Sequence, residues 1–220
     1  MHHTVKNLLN ILENVKSKIP KDISKNKLPQ IIAVSKTFKI DHILPLIEYG
    51  HFHYGENKVQ EAYDKWSQIK EKNKNIKLHL IGRLQTNKVK LAVKLFDFIH
   101  SLDSKKLANK ISLQEKEQNL KTKLFIQVNI GDEEQKSGIS KNELLDFYSY
   151  CKSLNLDIIG LMCIPPINQD SSKYFAEMKN LSQKLNLNEL SMGMSSDYVN
   201  AVENRSTFIR VGSKIFGQRH

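Results

Sequence analysis

Short runs of consecutive apolar residues alternate along this chain with stretches whose apolar positions recur every three or four residues. The runs read as strands: QIIAVS (30–35), HFHYG (51–55), KLHLIG (77–82), FDFIHSL (96–102), KLFIQVNI (123–130), DIIGLMC (157–163), ELSMG (189–193) and TFIRVG (207–212). Most are apolar on successive positions, the pattern of strands covered on both faces. The stretches between them read as helices. IDHILPLIEYG has Asp41 as its candidate cap and Gly50 as its stop, and SKNELLDFYSYCKSL opens on a Ser140–Glu143 capping box. DSSKYFAEMKNLSQKL places Tyr174, Phe175, Met178, Leu181 and Leu185 on one face. Ahead of the first strand, Val5, Leu8, Leu9, Leu12, Val15 and Ile19 fall at helical spacing and add an N-terminal helix.

Eight strands, each followed by a helix or a helical piece, predict an α/β fold, a (β/α)8 TIM barrel with an extra N-terminal helix. The competing open, doubly wound sheet would carry a glycine-rich turn after its first strand, where this chain has SKTF. No linker, repeat or low-complexity segment divides the 220 residues, so one barrel domain spanning 1–220, with little decoration, is the expectation.

Composition narrows the classes. No apolar run is long enough to span a bilayer, and the N-terminus lacks the continuous apolar centre of a signal peptide. A soluble, unprocessed, cytoplasmic protein is expected. Cys151 and Cys163 lack ligand spacing and read as small buried residues, not as a disulfide. A net charge of +11 raises nucleic acid as a partner. The lysines, however, are spread among Glu, Asp and Asn, and the arginines are only Arg83, Arg205, Arg210 and Arg219. Solvating lysine with a general preference for anionic ligands is the simpler reading. His51, His53 and His79 alternate with apolar residues, without a carboxylate or cysteine at ligand spacing, and read as structural. Trp66 reads as a packing residue.

The chemistry of such a barrel sits at the C-terminal ends of its strands. There the chain offers Ser35-Lys36-Thr37, Glu56-Asn57-Lys58, Arg83 and Lys88, Asn129 followed by GDEEQKSG, then GMSSD around Ser195 and VGS at Gly212-Ser213. The last two segments have the glycines, hydroxyls and freed amides of a phosphate cup, although Gly-Ser turns end many strands that bind nothing. Ser206 and Thr207 begin the eighth strand and are assigned to the opposite rim. Lys36 closes a buried-type strand. Either it snorkels to solvent, or burial makes its amine nucleophilic toward a carbonyl. A nucleophilic lysine facing a phosphate cup suits pyridoxal 5′-phosphate held as a Schiff base.

AVSKT, YGENKVQE, HLIGRLQTNK, QVNIGDEEQKSG, GLMCIPP, LSMGMSSDYVNAV and STFIRVGSKIFGQR resemble, in order and spacing from about residue 30 to Arg219, the pyridoxal phosphate homeostasis protein family. Those proteins are similar to the barrel domain of alanine racemase. The resemblance implies pyridoxal 5′-phosphate on Lys36, its phosphate among Ser195, Gly212 and Ser213, Asn57 beside the phenolic oxygen, and Arg210 facing the pyridine nitrogen. It also implies an intracellular role in buffering or delivering the cofactor, with pyridoxal phosphate-dependent apo-enzymes as recipients, no dedicated turnover, no nucleic acid or membrane partner, and a monomeric state. Lys88 and Lys136 are further amines that could accept the cofactor, or else plain solvated lysines. A weak amino-acid racemase is the alternative. Racemases of similar fold add a tyrosine base from a β domain, and this chain ends soon after FGQR, leaving Tyr54, Tyr63 and Tyr198 as the nearby phenols. The family commonly has threonine at Ser213 and glycine at Arg205.

Overall fold

Each of the eight apolar runs forms a strand within three residues of its expected bounds. The computed structural model describes residues 1–22 and 28–218. The strands are β1 (Gln30–Val34), β2 (His53–Glu56), β3 (Lys77–Leu80), β4 (Phe98–Leu102), β5 (Lys123–Gln127), β6 (Asp157–Met162), β7 (Glu189–Met194) and β8 (Phe208–Val211). All pair in parallel with their chain neighbours, and β8 returns to β1, closing the barrel. Around it lie α1 (His3–Lys18), α2 (Ile40–Glu48), α3 (Val59–Lys72), α4 (Val89–Leu95), α5 (Lys105–Gln118), α6 (Leu144–Ser153), α7 (Ser171–Lys184), α8 (Tyr198–Glu203) and α9 (Ser213–Phe216). No helix among the described residues is long and apolar enough to cross a membrane.

Two helix starts differ from expectation. The cap of α2 is Lys39, in extended conformation and without a side-chain cap bond. Asp41 lies inside the first turn, where it complements the helix dipole. Of the Ser140–Glu143 box one half forms, with Glu143 N–H donating to Ser140 Oγ at 3.4 Å while the Glu143 carboxylate accepts from the Ser140 hydroxyl, and it closes a turn ahead of α6, which begins at Leu144. On α7, Phe175 and Met178 are buried, as is Leu185 just beyond its end, while Tyr174 and Leu181 pack at the edge of the core.

The main apolar core lies between the barrel wall and the helices, and includes Trp66, Phe147, Phe175 and Met178. A second cluster, Ile32, Phe98, Phe125, Met162 and Phe208, fills the barrel interior. Barrels usually fill that space with branched aliphatic layers. Here rings do so. His79 stacks on Phe98 at 4.3 Å, His100 stacks on Phe125 at 4.3 Å, and Phe208 touches both phenylalanines edgewise or tilted at 5.6 and 5.5 Å. Cys151 and Cys163 are buried free thiols, and burial pushes both up to about 12.

The N-terminal helix α1 packs against α2, α8 and α9. Asn7 Nδ2 donates to the Ile215 carbonyl at 3.0 Å and Asn14 Nδ2 to the Tyr198 hydroxyl at 3.2 Å. It thereby braces the two short helices that follow β7 and β8.

Arg205 lies in the turn between α8 and β8 with φ +67°, a left-handed conformation that a side chain destabilises by about 1 kcal/mol. A glycine, the residue the family resemblance implies at this position, would carry no such strain. The Arg205 guanidinium pairs with Asp22, which is well exposed. Arg205→Gly is therefore expected to raise stability by up to about 1 kcal/mol in urea unfolding. A loss above that size would show that the ion pair outweighs the backbone strain.

Candidate functional site

The barrel register brings the expected residues together on four adjacent strands. Val34 of β1 pairs with Gly55 of β2, so Lys36 and Asn57, each two residues further on, leave neighbouring strands at the same level. On the other side Ala33 pairs with Val211, which sets Gly212 and Ser213 beside the segment that carries Lys36. Met194 pairs with Arg210, so Ser195 follows on the next strand, β7. Lys36 and Asn57 are half-buried, Gly212 is buried, and Ser213 is exposed at the start of α9. Gly82 stands where a Cβ would lie 2.3 Å from the Asn57 carbonyl oxygen, so only glycine lets the β2 and β3 loops pack this closely.

The turn that presents Lys36 is clamped from below. Thr37 adopts φ +70°, and its N–H donates to Glu61 Oε1 at 2.6 Å. Glu56, fully buried at the end of β2, accepts at Oε1 from Ser35 Oγ at 2.7 Å, Lys65 Nζ at 2.9 Å and Trp66 Nε1 at 2.9 Å. Lys65 Nζ also donates to the Ser35 carbonyl at 2.9 Å. One buried carboxylate and one lysine thus tie β1, β2 and α3 together under Lys36. Trp66, read from sequence as packing alone, is also a hydrogen-bond donor here.

Near the end of β7, Gly193 has φ +91°, and an added Cβ would lie 2.5 Å from that of Ala201, so α8 can fold back tightly. Met194 N–H then donates to Asp197 Oδ1 at 2.6 Å. The Gly212 N–H reaches Ser195 Oγ at 3.3 Å, which joins the two loops, while the first amides of α9 have no partner within the helix. Hydroxyls and amides so arranged can take an anion. Ser206 is at the opposite rim, as expected. Its hydroxyl donates to the carbonyls of β7 and β8, the nearest being Met192 at 2.8 Å.

Arg210 is buried inside the barrel. It donates from NH1 to Ser191 Oγ at 2.7 Å and from NH2 to the Cys163 carbonyl at 2.9 Å. It forms no ion pair among the described residues. Desolvation lowers its pKa, yet a guanidinium stays charged and can only donate. Its remaining N–H groups suit a neutral acceptor such as a ring nitrogen. Below it runs a line of imidazoles: Ser191 Oγ to His100 Nδ1 at 2.8 Å, His100 Nε2 to His79 Nδ1 at 2.9 Å, and His79 Nε2 to His53 Nδ1 at 2.9 Å. The structural role expected of His53 and His79 takes this form, and His51 bonds the His53 carbonyl at 2.9 Å. No group of three or more His, Cys, Asp or Glu among the described residues is arranged to hold a metal ion.

A cavity of about 340 Å³ opens beyond Asn57, bordered by Arg83, Gln127, Asn129, Lys136 and Ile164. Lys136 pairs with Glu133 and donates to the Pro165 carbonyl at 3.2 Å, so it is tied across the mouth and not freely solvated. Lys88 lies in the 3-10 turn Thr86–Lys88 after β3. The three phenols point elsewhere. Tyr54 faces α3, its ring 4.7 Å from Trp66 and its hydroxyl donating to the His51 carbonyl. Tyr198 is turned toward α1, and Tyr63 is exposed on α3. Arg219, the last residue of the FGQR motif, lies outside the described residues.

The barrel and its strand-end site define an alanine racemase-type domain, and the family described as alanine racemase, N-terminal domain, matches residues 8–220. The pyridoxal phosphate homeostasis protein of Pasteurella multocida is 35% identical over 97% of this chain and 96% of its own. The chain belongs to the pyridoxal phosphate homeostasis protein family. Among solved structures, PipY of Synechococcus elongatus, 33% identical, superposes without pyridoxal phosphate at a TM-score of 0.87, covering 98% of this chain and 100% of PipY. With pyridoxal phosphate bound it superposes at 0.82, covering 97% and 100%. The alanine racemase of Clostridium difficile shares the fold at a TM-score of 0.71 and 15% identity, and this chain covers 57% of it while matching over 97% of its own length.

Two outcomes follow from the buried groups. Lys65→Ala leaves the Glu56 carboxylate buried without a cation and is expected to destabilise the fold by about 3 kcal/mol in urea unfolding. A change under about 1 kcal/mol would mean that Glu56 is not held as a buried anion. Burial also lowers the pKa of His51 and His53 to about 4 and those of His79 and His100 well below the usual value. The unfolded chain takes up protons on these four from about pH 6.5 downward, whereas the folded chain does not. Their stabilisation is thus complete above that pH and is lost as pH falls toward 4, by at most about 1.4 kcal/mol per unit for each ring. Asp103 and Glu115, raised by desolvation, act oppositely in the lower part of this window. Urea midpoints at pH 7.5, 6 and 5 should fall in that order, and a flat series would show that the rings are charged or solvated.

Proposed function

We propose that this chain binds pyridoxal 5′-phosphate at the C-terminal mouth of the barrel, joins it covalently through the Lys36 amine, and buffers or delivers it without turning over a substrate of its own. The observation that carries this reading is the convergence of Lys36, the Ser195–Gly212–Ser213 cup and the carboxylate-free Arg210 on adjacent strands. When bound, the cofactor supplies an aldehyde that amines capture reversibly.

In this reading Lys36 is held at the mouth by the clamp beneath it. Ser195 Oγ and the amides of Gly212 and Ser213 orient the phosphate, and Asn57 borders the ring. Arg210 donates to the ring nitrogen and keeps a proton off it, which weakens chemistry that needs the ring as an electron sink. The outward-turned phenols of Tyr54, Tyr63 and Tyr198 likewise support carriage over turnover. The same reading takes residues 1–220 as one unit that works as a monomer in the cytoplasm and passes the cofactor to pyridoxal phosphate-dependent apo-enzymes, with neither nucleic acid nor a membrane as partner.

The test is the visible spectrum of the protein with pyridoxal phosphate, for the parent and Lys36→Ala, before and after borohydride. A band in the parent that borohydride fixes on Lys36 and that the variant lacks is the expected result, together with no α-hydrogen exchange from alanine or serine in deuterated water beyond that of free cofactor. The absence of any specific band in the parent would sink the reading. Exchange well above the free cofactor would replace carriage by racemase chemistry.

A further inference from the structure

The line of imidazoles beneath Arg210 has no part in that reading, and its protons can be counted. Arg210 only donates, so Ser191 Oγ accepts from it. The single Ser191 proton has His100 Nδ1 as its acceptor at 2.8 Å. His100 then carries its proton on Nε2 and donates to His79 Nδ1, and His79 in turn donates from Nε2 to His53 Nδ1. Every group is satisfied with one proton each. The reverse register would leave the buried Ser191 hydroxyl without an acceptor among the described residues, at about 1–3 kcal/mol. It would also aim N–H dipoles at a guanidinium. A break in register anywhere along the line would set two lone pairs or two N–H groups face to face.

Stacking on Phe98 and Phe125 fixes the planes of His79 and His100, and a half-turn within either plane would put C–H groups where the hydrogen bonds stand. The line runs from half-buried His53, the first residue of β2, to the third residues of β3, β4, β7 and β8. It therefore climbs from the lower rim to the level of Arg210.

We propose that Ser191 and His100 are positioning residues for Arg210, and that the Arg210 charge holds His100, His79 and His53 as Nε2–H tautomers in one polar line across the barrel. The neutral state this needs is supported by the full burial of the His79 and His100 rings. The tautomer register stands on the hydrogen bonds alone. The consequence for a ligand at Arg210 rests on the cofactor reading above.

Long-range nitrogen–proton NMR of the unliganded parent at neutral pH reads each tautomer directly. All three rings are expected to carry an unprotonated Nδ1, and Nδ1–H on any of them overturns the register. Ser191→Ala, checked for folding by circular dichroism, is expected to mix the His100 tautomers. It should also weaken pyridoxal phosphate binding by about five- to tenfold while leaving the borohydride adduct on Lys36, and Ser191→Thr should restore both. Unchanged affinity and band position in Ser191→Ala would overturn the positioning role. If the parent itself gave no pyridoxal phosphate band, the cofactor reading and the positioning role would fall together, and the NMR result would still decide the register.

Discussion

A guanidinium that cannot give up its proton sits wholly inside this barrel, and much of the interior is arranged around that fact. Desolvating a charge costs several kcal/mol unless it is matched by hydrogen bonds. No carboxylate pairs with Arg210 among the described residues; a hydroxyl and a carbonyl do the matching. The hydroxyl needs an acceptor of its own, so a neutral imidazole stands behind it, and behind that two more. A barrel filled by aliphatic layers could not hold this charge. Rings that are apolar on their faces and polar at their edges can, because they pack against phenylalanine while passing a hydrogen bond along the edge.

The same constraint has an opposite on the neighbouring strands. Glu56 is a buried carboxylate whose charge is met by Lys65 and by two neutral donors. Its partners come from the end of β1 and from α3, so the pair welds the turn that carries Lys36 to the barrel wall. Such a pair adds little net stability against apolar residues of similar size, but it fixes geometry, because either member alone would be an uncompensated charge. The left-handed backbone of Thr37 is held within this frame.

The strands were legible because burial on both faces writes consecutive apolar residues, a pattern that survives without alignment. The cap of α2 was not, because the helix begins one residue before the polar side chain that resembles a cap. Lys36, Asn57, Ser195, Arg210, Gly212 and Ser213 were legible as strand-end residues once the barrel was inferred, and the resemblance sorted them into roles. Glu56, Lys65 and Trp66 escaped because their meeting depends on how α3 lies on β2, which sequence spacing of nine and ten residues does not display. His100 and Ser191 are 91 positions apart, and only closure of the barrel makes them neighbours. His53 and His79 looked isolated for the same reason, since local spacing reports ligands on one element and not rings on facing strands.

The charges at the mouth bear on what the barrel can retain. Arg210 is buried, Lys36 and Lys136 are half-buried at the rim, and Arg83 stands at the edge of the cavity. The glutamates of the clamp are already engaged by Lys65 and the Thr37 amide. In the proposed reading a phosphate-bearing ligand would meet the amide and hydroxyl cup with its anion and Arg210 with a ring acceptor, whereas a neutral aldehyde could satisfy Lys36 alone. On that reading the anionic group would select the ligand before any covalent step, and a reversible covalent link would need only to add residence time. That order of events suits the proposed carrier: recognition would be carried by contacts a recipient can match, and the proposed bond at Lys36 could be exchanged by another amine.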